Sequence, residues 1–149
     1  MKITMKKLLA ELNKDLEWEY SAAIQYTQHA SAMNGAEYDS VQKELLIHAQ
    51  QEMQHAVMLS DQIDFLGGVP TVDVEKRAIS PDNVEMLKQD LWGEDNAITR
   101  YKDRIGQAEA LKEYGLRRVL EDILIQEEEH KRDLINALSK NSGTRLRKK

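Results

Sequence analysis

The sequence predicts an all-α protein, a four-helix bundle with one long crossover between the second and third helices. Only seven Gly and two Pro interrupt the 149 residues, and 41% of the residues are hydrophobic. Four segments repeat apolar residues at three- and four-residue intervals, as bundle helices do. The length matches one domain with one core. We therefore expect the bundle over residues 1–140 and a basic, disordered tail over 141–149.

The ends of the helices are predicted from glycines and from capping residues. The predicted helices cover residues 5–34, 37–66, 81–110 and 113–139, with either end uncertain by a residue or two. Gly35 ends the first helix and Gly67-Gly68 the second, because glycine commonly follows a helix. Ser80 is expected to cap the third helix, with Pro81 in its first turn. Residues 68–79 form the long crossover, and helices of this length measure about 40 Å.

Composition excludes several classes of protein. The chain has no cysteine, which excludes disulfides, thiolate metal sites and cysteine-held iron–sulfur clusters, and which suits the cytoplasm. The first residues contain no apolar run, so neither a signal peptide nor a membrane span is expected. The net charge of -5 argues against a DNA-binding surface. The tail Arg145–Lys149 is basic, but such tails are commonly solvated helix ends, so DNA binding is not expected.

Each helix carries an apolar stripe that a glutamate interrupts near its middle. On the second and fourth helices, a histidine follows the glutamate three residues later. Helical spacing places these six residues on the core side, whereas Glu128 and Glu129 of the run EEEH face outwards. The six core-facing residues are Glu19, Glu52, His55, Glu94, Glu127 and His130.

The same motif occurs twice, offset by 75 residues. The glutamates are 33 residues apart in each half, since 52 − 19 and 127 − 94 give the same difference. The second and fourth helices share E-x-x-H, and the first and third share E-x-x-A-x-x-x-Y, which ends at Tyr26 and Tyr101. Such a repeat predicts two similar helix pairs around an approximate two-fold axis.

The buried carboxylates and imidazoles predict a two-metal centre. An unpaired buried charge costs several kcal/mol, and two divalent cations would remove that cost by accepting the carboxylate oxygens and one imidazole nitrogen each. A donor set rich in oxygen with some imidazole suits iron or manganese.

These motifs make the chain resemble bacterioferritins over roughly residues 12–138. The resemblance rests on Glu19, Gln25-Tyr26, EMQHA at 52–56, FLGGVP at 65–70, VEML at 84–87, Glu94 and EEEH at 127–130. It implies a ferritin-like four-helix bundle with two iron ions per subunit, manganese being the alternative. Glu19 and Glu94 would then be terminal ligands, and Glu52 and Glu127 would bridge the metals. His55 and His130 would complete one metal site each, so that the same six residues are the catalytic ones.

The resemblance also implies an activity. Bacterioferritins oxidise Fe(II) to Fe(III) with O2 or H2O2 and store the iron inside a hollow homo-oligomer. The family usually has a fifth helix that closes a 24-subunit shell. Few residues follow His130, so we expect that helix to be absent, and a cage of 12 or 24 subunits or a smaller assembly. Met53 matches the methionine through which two bacterioferritin subunits bind haem b, but methionine is also an ordinary filler of interfaces, so haem remains open.

Other functions share this pattern. Rubrerythrin-like and manganese-catalase-like enzymes use similar ligands to remove peroxide. Rubrerythrin itself is disfavoured, because it adds a cysteine-bound iron domain and a further carboxylate where this chain has Ala97. A mini-ferritin that binds DNA through its tail is a further alternative. His48, one turn before Glu52, could guide iron, although a hydrogen-bonded structural histidine is the favoured interpretation.

Overall fold

Four long helices form the protein in a computed structural model that describes the backbone of residues 2–142 and the side chains of residues 2–139. The helices are α1 (Met5–Ala32), α2 (Asp39–Phe65), α3 (Asn83–Ala110) and α4 (Tyr114–Ser142), and a short 3-10 turn, Ala36–Tyr38, precedes α2. The predicted all-α four-helix bundle is confirmed. Within the described residues, no helix is long and apolar enough to cross a membrane. The tail after Ser142, where a fifth helix was not expected, lies outside the described residues.

The start of α3 differs from the prediction. Asp82, and not Ser80, caps the helix: its side chain accepts a hydrogen bond from the backbone N–H of Glu85 at 2.8 Å. The Ser80 hydroxyl instead accepts from the N–H of Asp82 at 3.1 Å, in the turn that precedes the helix. Both residue types are good caps, and the carboxylate also favours the positive end of the helix dipole. At the other end, α4 continues to Ser142, three residues past its predicted end.

The helices pack as two antiparallel pairs, α1 with α2 and α3 with α4, and residues 66–82 cross from one pair to the other. Two apolar clusters fill the bundle, one around Leu12, Leu59 and Leu120 and the other around Leu45 and Leu87. A fully buried leucine stabilises the fold by about 1.5–3 kcal/mol. A layer of buried acidic and histidine side chains separates the clusters, so apolar packing on both sides holds the polar layer in place.

Candidate metal centre

The polar layer contains all six residues that the sequence singled out. Each helix contributes its glutamate, and α2 and α4 add the histidines. Every one of these residues is at most 2% exposed. Glu127 and His130 are buried, whereas Glu128 and Glu129 are exposed. The run EEEH therefore contributes two residues to the core and two to the surface.

The six residues form two sets of four donors that share Glu52 and Glu127. In each set, one donor atom from every residue lies within 4.8 Å of the others. Nδ1 of His55 is 2.9 Å from the Glu127 carboxylate and 3.5 Å from that of Glu19. Nδ1 of His130 is 3.0 Å from the Glu52 carboxylate, and the second set is completed by Glu94. The shared pair lies between the two histidines, where a bridging ligand would have to be.

Two tyrosines orient the outer glutamates, and they do so across the bundle. Tyr26 on α1 donates to Oε1 of Glu94 on α3 at 2.6 Å. Tyr101 on α3 donates a hydrogen bond to Oε1 of Glu19 on α1. Both phenols are buried. Each half of the repeat therefore supplies the hydroxyl that positions the other half's carboxylate.

Two glutamines orient the histidines, and the sequence interpretation missed them. Nε2–H of His55 donates to Oε1 of Gln126 at 2.5 Å, and Nε2–H of His130 donates to Oε1 of Gln51 at 2.6 Å. A partner on one ring nitrogen fixes the ring and directs the other nitrogen, here Nδ1, towards the carboxylates. The signal was present in the sequence, because the repeat is Q-E-x-x-H in both halves.

The electrostatics of the cluster divide the glutamates into two kinds. Burial raises the pKa of Glu52 and of Glu127 well above the ordinary value, and the neighbouring carboxylates raise it further. Burial also acts on Glu19 and Glu94, but close contact with the nearest imidazole and its positive charge bring the pKa of both below the ordinary value. Burial opposes the protonation of His55, yet Glu127 and Glu19 raise its pKa to about 10. In the metal-free cluster, protons bound to Glu52, Glu127 and His55 therefore reduce the repulsion among the carboxylates.

The unsatisfied atoms of the cluster fit a pair of cations. All of the carboxylates and both Nδ1 atoms leave buried polar atoms without a hydrogen-bond partner among the described groups. Such atoms are costly in a protein interior. Four carboxylates, two of them shared, and one imidazole nitrogen per set form the oxygen-rich donor set that iron and manganese bind. The residues present therefore fit a di-metal centre.

The crossover closes the α1–α3 side of the cluster. Arg77 donates from Nε to the Ser21 hydroxyl at 2.7 Å, and its guanidinium lies 5.3 Å from the centroid of the Trp18 ring. Gly93 leaves room for it, since a Cβ there would lie 2.7 Å from Nη1 of Arg77. A space of only about 10 Å³ remains on this side. The sequence interpretation assigned no role to Arg77, because the crossover carries no periodic pattern.

The remaining candidate residues lie outside the cluster. Met53 is 45% exposed and lines an apolar surface groove with Ala23, Ile24 and Ala49. His48 is buried, and its Nε2 lies 3.1 Å from Oδ2 of Asp133. This contact agrees with a hydrogen-bonded histidine.

Comparison with known proteins identifies the family. The Ferritin-like domain family matches residues 9–142, which is most of the chain. The protein belongs to the ferritin-like family. In fold, it is similar to a ferritin-like, diiron-carboxylate protein from Bacillus anthracis, with a TM-score of 0.88 and 33% sequence identity over 93% of this chain and 99% of that one.

Curated ferritin-like relatives carry two kinds of name. A bacterioferritin of Brucella melitensis is 30% identical over 125 residues, 83% of this chain and 78% of the relative. A bacterioferritin of Desulfovibrio desulfuricans is 26% identical over 125 residues, 83% of this chain and 70% of the relative. A nutrient stress-induced DNA-binding protein of Nostoc is 29% identical over 131 residues, 81% of this chain and 71% of the relative. The bacterioferritin resemblance is thus confirmed, beside a relative named for DNA binding.

Proposed function

We propose that the protein is a ferroxidase that oxidises Fe(II) to Fe(III) with O2 or H2O2 and stores the product in a homo-oligomer. The observation that carries the proposal is the pair of buried donor sets that share Glu52 and Glu127. Two iron ions held there would each supply one electron to the oxidant. The lack of cysteine suits a reducing compartment, and we place the protein in the cytoplasm.

The side chains of the centre would have different roles in metal binding. Glu19 with His55, and Glu94 with His130, would hold one ion each, while Glu52 and Glu127 would hold both. The ions would displace the protons that the metal-free cluster carries, so binding releases protons to solvent. The tyrosine and glutamine contacts keep the donors in place before a metal arrives, and burial excludes bulk water.

The test begins with metal-free protein to which Fe(II) is added in air. Oxidation is followed by Fe(III) absorbance, oligomer mass by size-exclusion chromatography with light scattering, and iron by counting atoms per chain. We expect oxidation faster than in buffer, and a large oligomer that retains many more than two irons per chain. A mass of 12 or of 24 subunits would decide the cage size. A small oligomer that stops at two metals per chain would overturn storage and favour peroxide removal, which H2O2 consumption would then measure.

Two neighbouring glutamates provide a matched comparison. Glu127→Gln removes a buried shared donor, and we expect the oxidation rate to fall by about tenfold to a hundredfold. Glu128→Gln makes the same chemical change one residue along, on an exposed side chain, and should leave the rate within about twofold of the wild type. Equal rates in the two variants would contradict the assignment of the centre.

Haem b is a separate part of the proposal. Met53 lines an exposed apolar groove, so its sulfur is available to a ligand shared with a second subunit. Protein that is expressed with excess haem should show a Soret band that Met53→Leu removes, while Ala23→Gly, which changes the same groove without touching sulfur, retains it. Lack of the band in the wild type would overturn haem binding at Met53.

DNA binding is the second candidate function, because one relative carries that name. The tail that would contact phosphates lies outside the described residues. Deletion of residues 145–149 would abolish retention of a DNA duplex in a gel and leave Fe(II) oxidation intact if the tail binds DNA. We expect no retention even by the full chain at physiological salt, because the net charge is -5 and phosphate binding requires clustered cations.

A further inference from the structure

A second group of metal-binding side chains lies on the side of the bundle opposite Arg77. Glu44 and His48 of α2 and Asp133 of α4 each offer a donor atom, and the three atoms lie within 4.8 Å of one another. Nε2 of His48 is 3.4 Å from Oε1 of Glu44 and 3.1 Å from Oδ2 of Asp133. One nitrogen and two carboxylate oxygens therefore converge on the same point.

The histidine of this group is not an ordinary surface side chain. His48 is 1% exposed, and its Nδ1 has no hydrogen-bond partner among the described groups. Its Nε2 faces both carboxylates, and an imidazole nitrogen is a common metal ligand.

The surroundings favour a cation that comes from solvent. Glu44 and Asp133 are each nearly half exposed, at the wall of a cavity of about 710 Å³ between α2 and α4. None of the described residues that line this cavity is a lysine or an arginine. The α1–α3 side, by contrast, is closed by Arg77 and has space for about 10 Å³. A divalent cation from solvent therefore has room to enter on the first side and not on the second.

The group also adjoins the di-metal centre. The ring of His48 stacks on the ring of His130, with 4.1 Å between centroids and 26° between planes. Because His130 belongs to one of the two buried donor sets, one layer of imidazoles separates the cavity from the centre. We propose that Glu44, His48 and Asp133 bind a third divalent cation and form a binding site on the route by which Fe(II) reaches the centre. The site stands on its own geometry, and only the identity of the ion rests on the proposed function.

The test counts cations with Co(II), which does not oxidise under these conditions, by titration calorimetry of metal-free protein. We expect three Co(II) per chain for the wild type, one for each donor set, and two for Glu44→Gln/Asp133→Asn. The matched control, Asp61→Asn/Glu129→Gln, removes the same two charges from exposed positions of the same helices and should keep three. Two Co(II) in the wild type, or three in the Glu44/Asp133 variant, would overturn the third site.

A kinetic measurement separates this inference from the proposed function. If the site delivers iron, the Fe(II) concentration at half-maximal oxidation rate should rise about tenfold in the Glu44/Asp133 variant and stay unchanged in the control. Three Co(II) without any Fe(II) oxidation by the wild type would reject the ferroxidase and keep the third site. Normal oxidation with an unchanged half-saturating concentration in the variant would reject delivery through this site and keep the ferroxidase.

Discussion

The Tyr26 hydroxyl on α1 donates a 2.6 Å hydrogen bond to Oε1 of Glu94 on α3. Tyr101 on α3 makes the reciprocal bond to Glu19 on α1. The two helices come from different halves of the repeat, so these bonds join the halves at the level of the candidate metal centre. Burial and the carboxylate that each phenol contacts raise the pKa of both tyrosines well above the ordinary value. The phenols therefore remain protonated donors.

Removal of either phenol should affect its own metal site. Tyr101→Phe leaves Glu19 without its donor, and loss of a hydrogen bond to a charged group costs about 1.5–3 kcal/mol. We expect affinity for one of the two buried Co(II) ions to fall by about tenfold or more, as for other losses around metal ligands, with the other ion unaffected. Titration calorimetry measures this. Tyr20→Phe, on α1 outside the cluster, is the control and should change neither affinity.

Metal binding should stabilise the fold through the shared glutamates. A ligand at a hundred times its dissociation constant adds about 2.7 kcal/mol per site to the free energy of unfolding. Glu52→Gln should remove most of this gain but change the metal-free stability by only about 1 kcal/mol, because a buried Glu52 with a raised pKa carries a proton, as an amide carries hydrogens. Urea unfolding with and without Mn(II) tests both expectations. A metal-dependent gain that survives Glu52→Gln would contradict a shared ligand.

Arg77 and Gly93 should be coupled in stability. Alanine is about 1 kcal/mol better than glycine inside a helix, but a methyl group at position 93 meets Nη1 of Arg77 at 2.7 Å. Gly93→Ala should therefore stabilise the protein by about 1 kcal/mol in an Arg77→Met background and by less in the wild type. A double-mutant cycle from urea unfolding measures the difference. If the effects of Gly93→Ala and Arg77→Met on the free energy of unfolding are additive, the Arg77 side chain can move away from the new methyl group without cost.

Arg77→Met alone should loosen the crossover. The variant loses the bond to Ser21 and the contact with Trp18, and we expect a cost of about 1–3 kcal/mol. Limited proteolysis should then cut within residues 66–82 faster than in the wild type. Lys76→Met, at an exposed position beside it, should leave the rate of cleavage unchanged.

The sequence predicted the six clustered residues because helical periodicity alone decides which side chains face a core. The partners of these residues were harder to predict. Gln51 and Gln126 each precede a candidate ligand in the sequence, where a glutamine would ordinarily be assigned to the surface. Only their occurrence at the same position in both halves of the repeat distinguished them. The crosswise tyrosine bonds depend on how the helix pairs dock, and spacing within one helix does not contain that information. Arg77 lies in an irregular segment, so only the three-dimensional path of the crossover places it over Trp18.

A buried pair next to the centre should make stability depend on pH. His29 on α1 and Asp90 on α3 are both buried, with Nδ1 and Oδ2 2.9 Å apart. Burial raises the pKa of Asp90 from 3.8 to about 6, against the lowering effect of His29. An acid with a raised pKa binds its proton more tightly in the folded state, so its contribution to stability is fully present below about pH 4 and is lost as the pH rises through 6.

Asp90→Asn should therefore stabilise the protein only at the higher pH. The amide imitates the protonated acid, and a shift of this size corresponds to roughly 1–3 kcal/mol. We expect the variant to gain that much over the wild type at pH 7.5 and to lose most of the advantage as the pH falls to about 4, in urea unfolding of metal-free protein. Asp95→Asn, an exposed carboxylate on the same helix, should show no such dependence. An advantage of equal size at both pH values would mean that the amide acts through packing and not through the charge of Asp90.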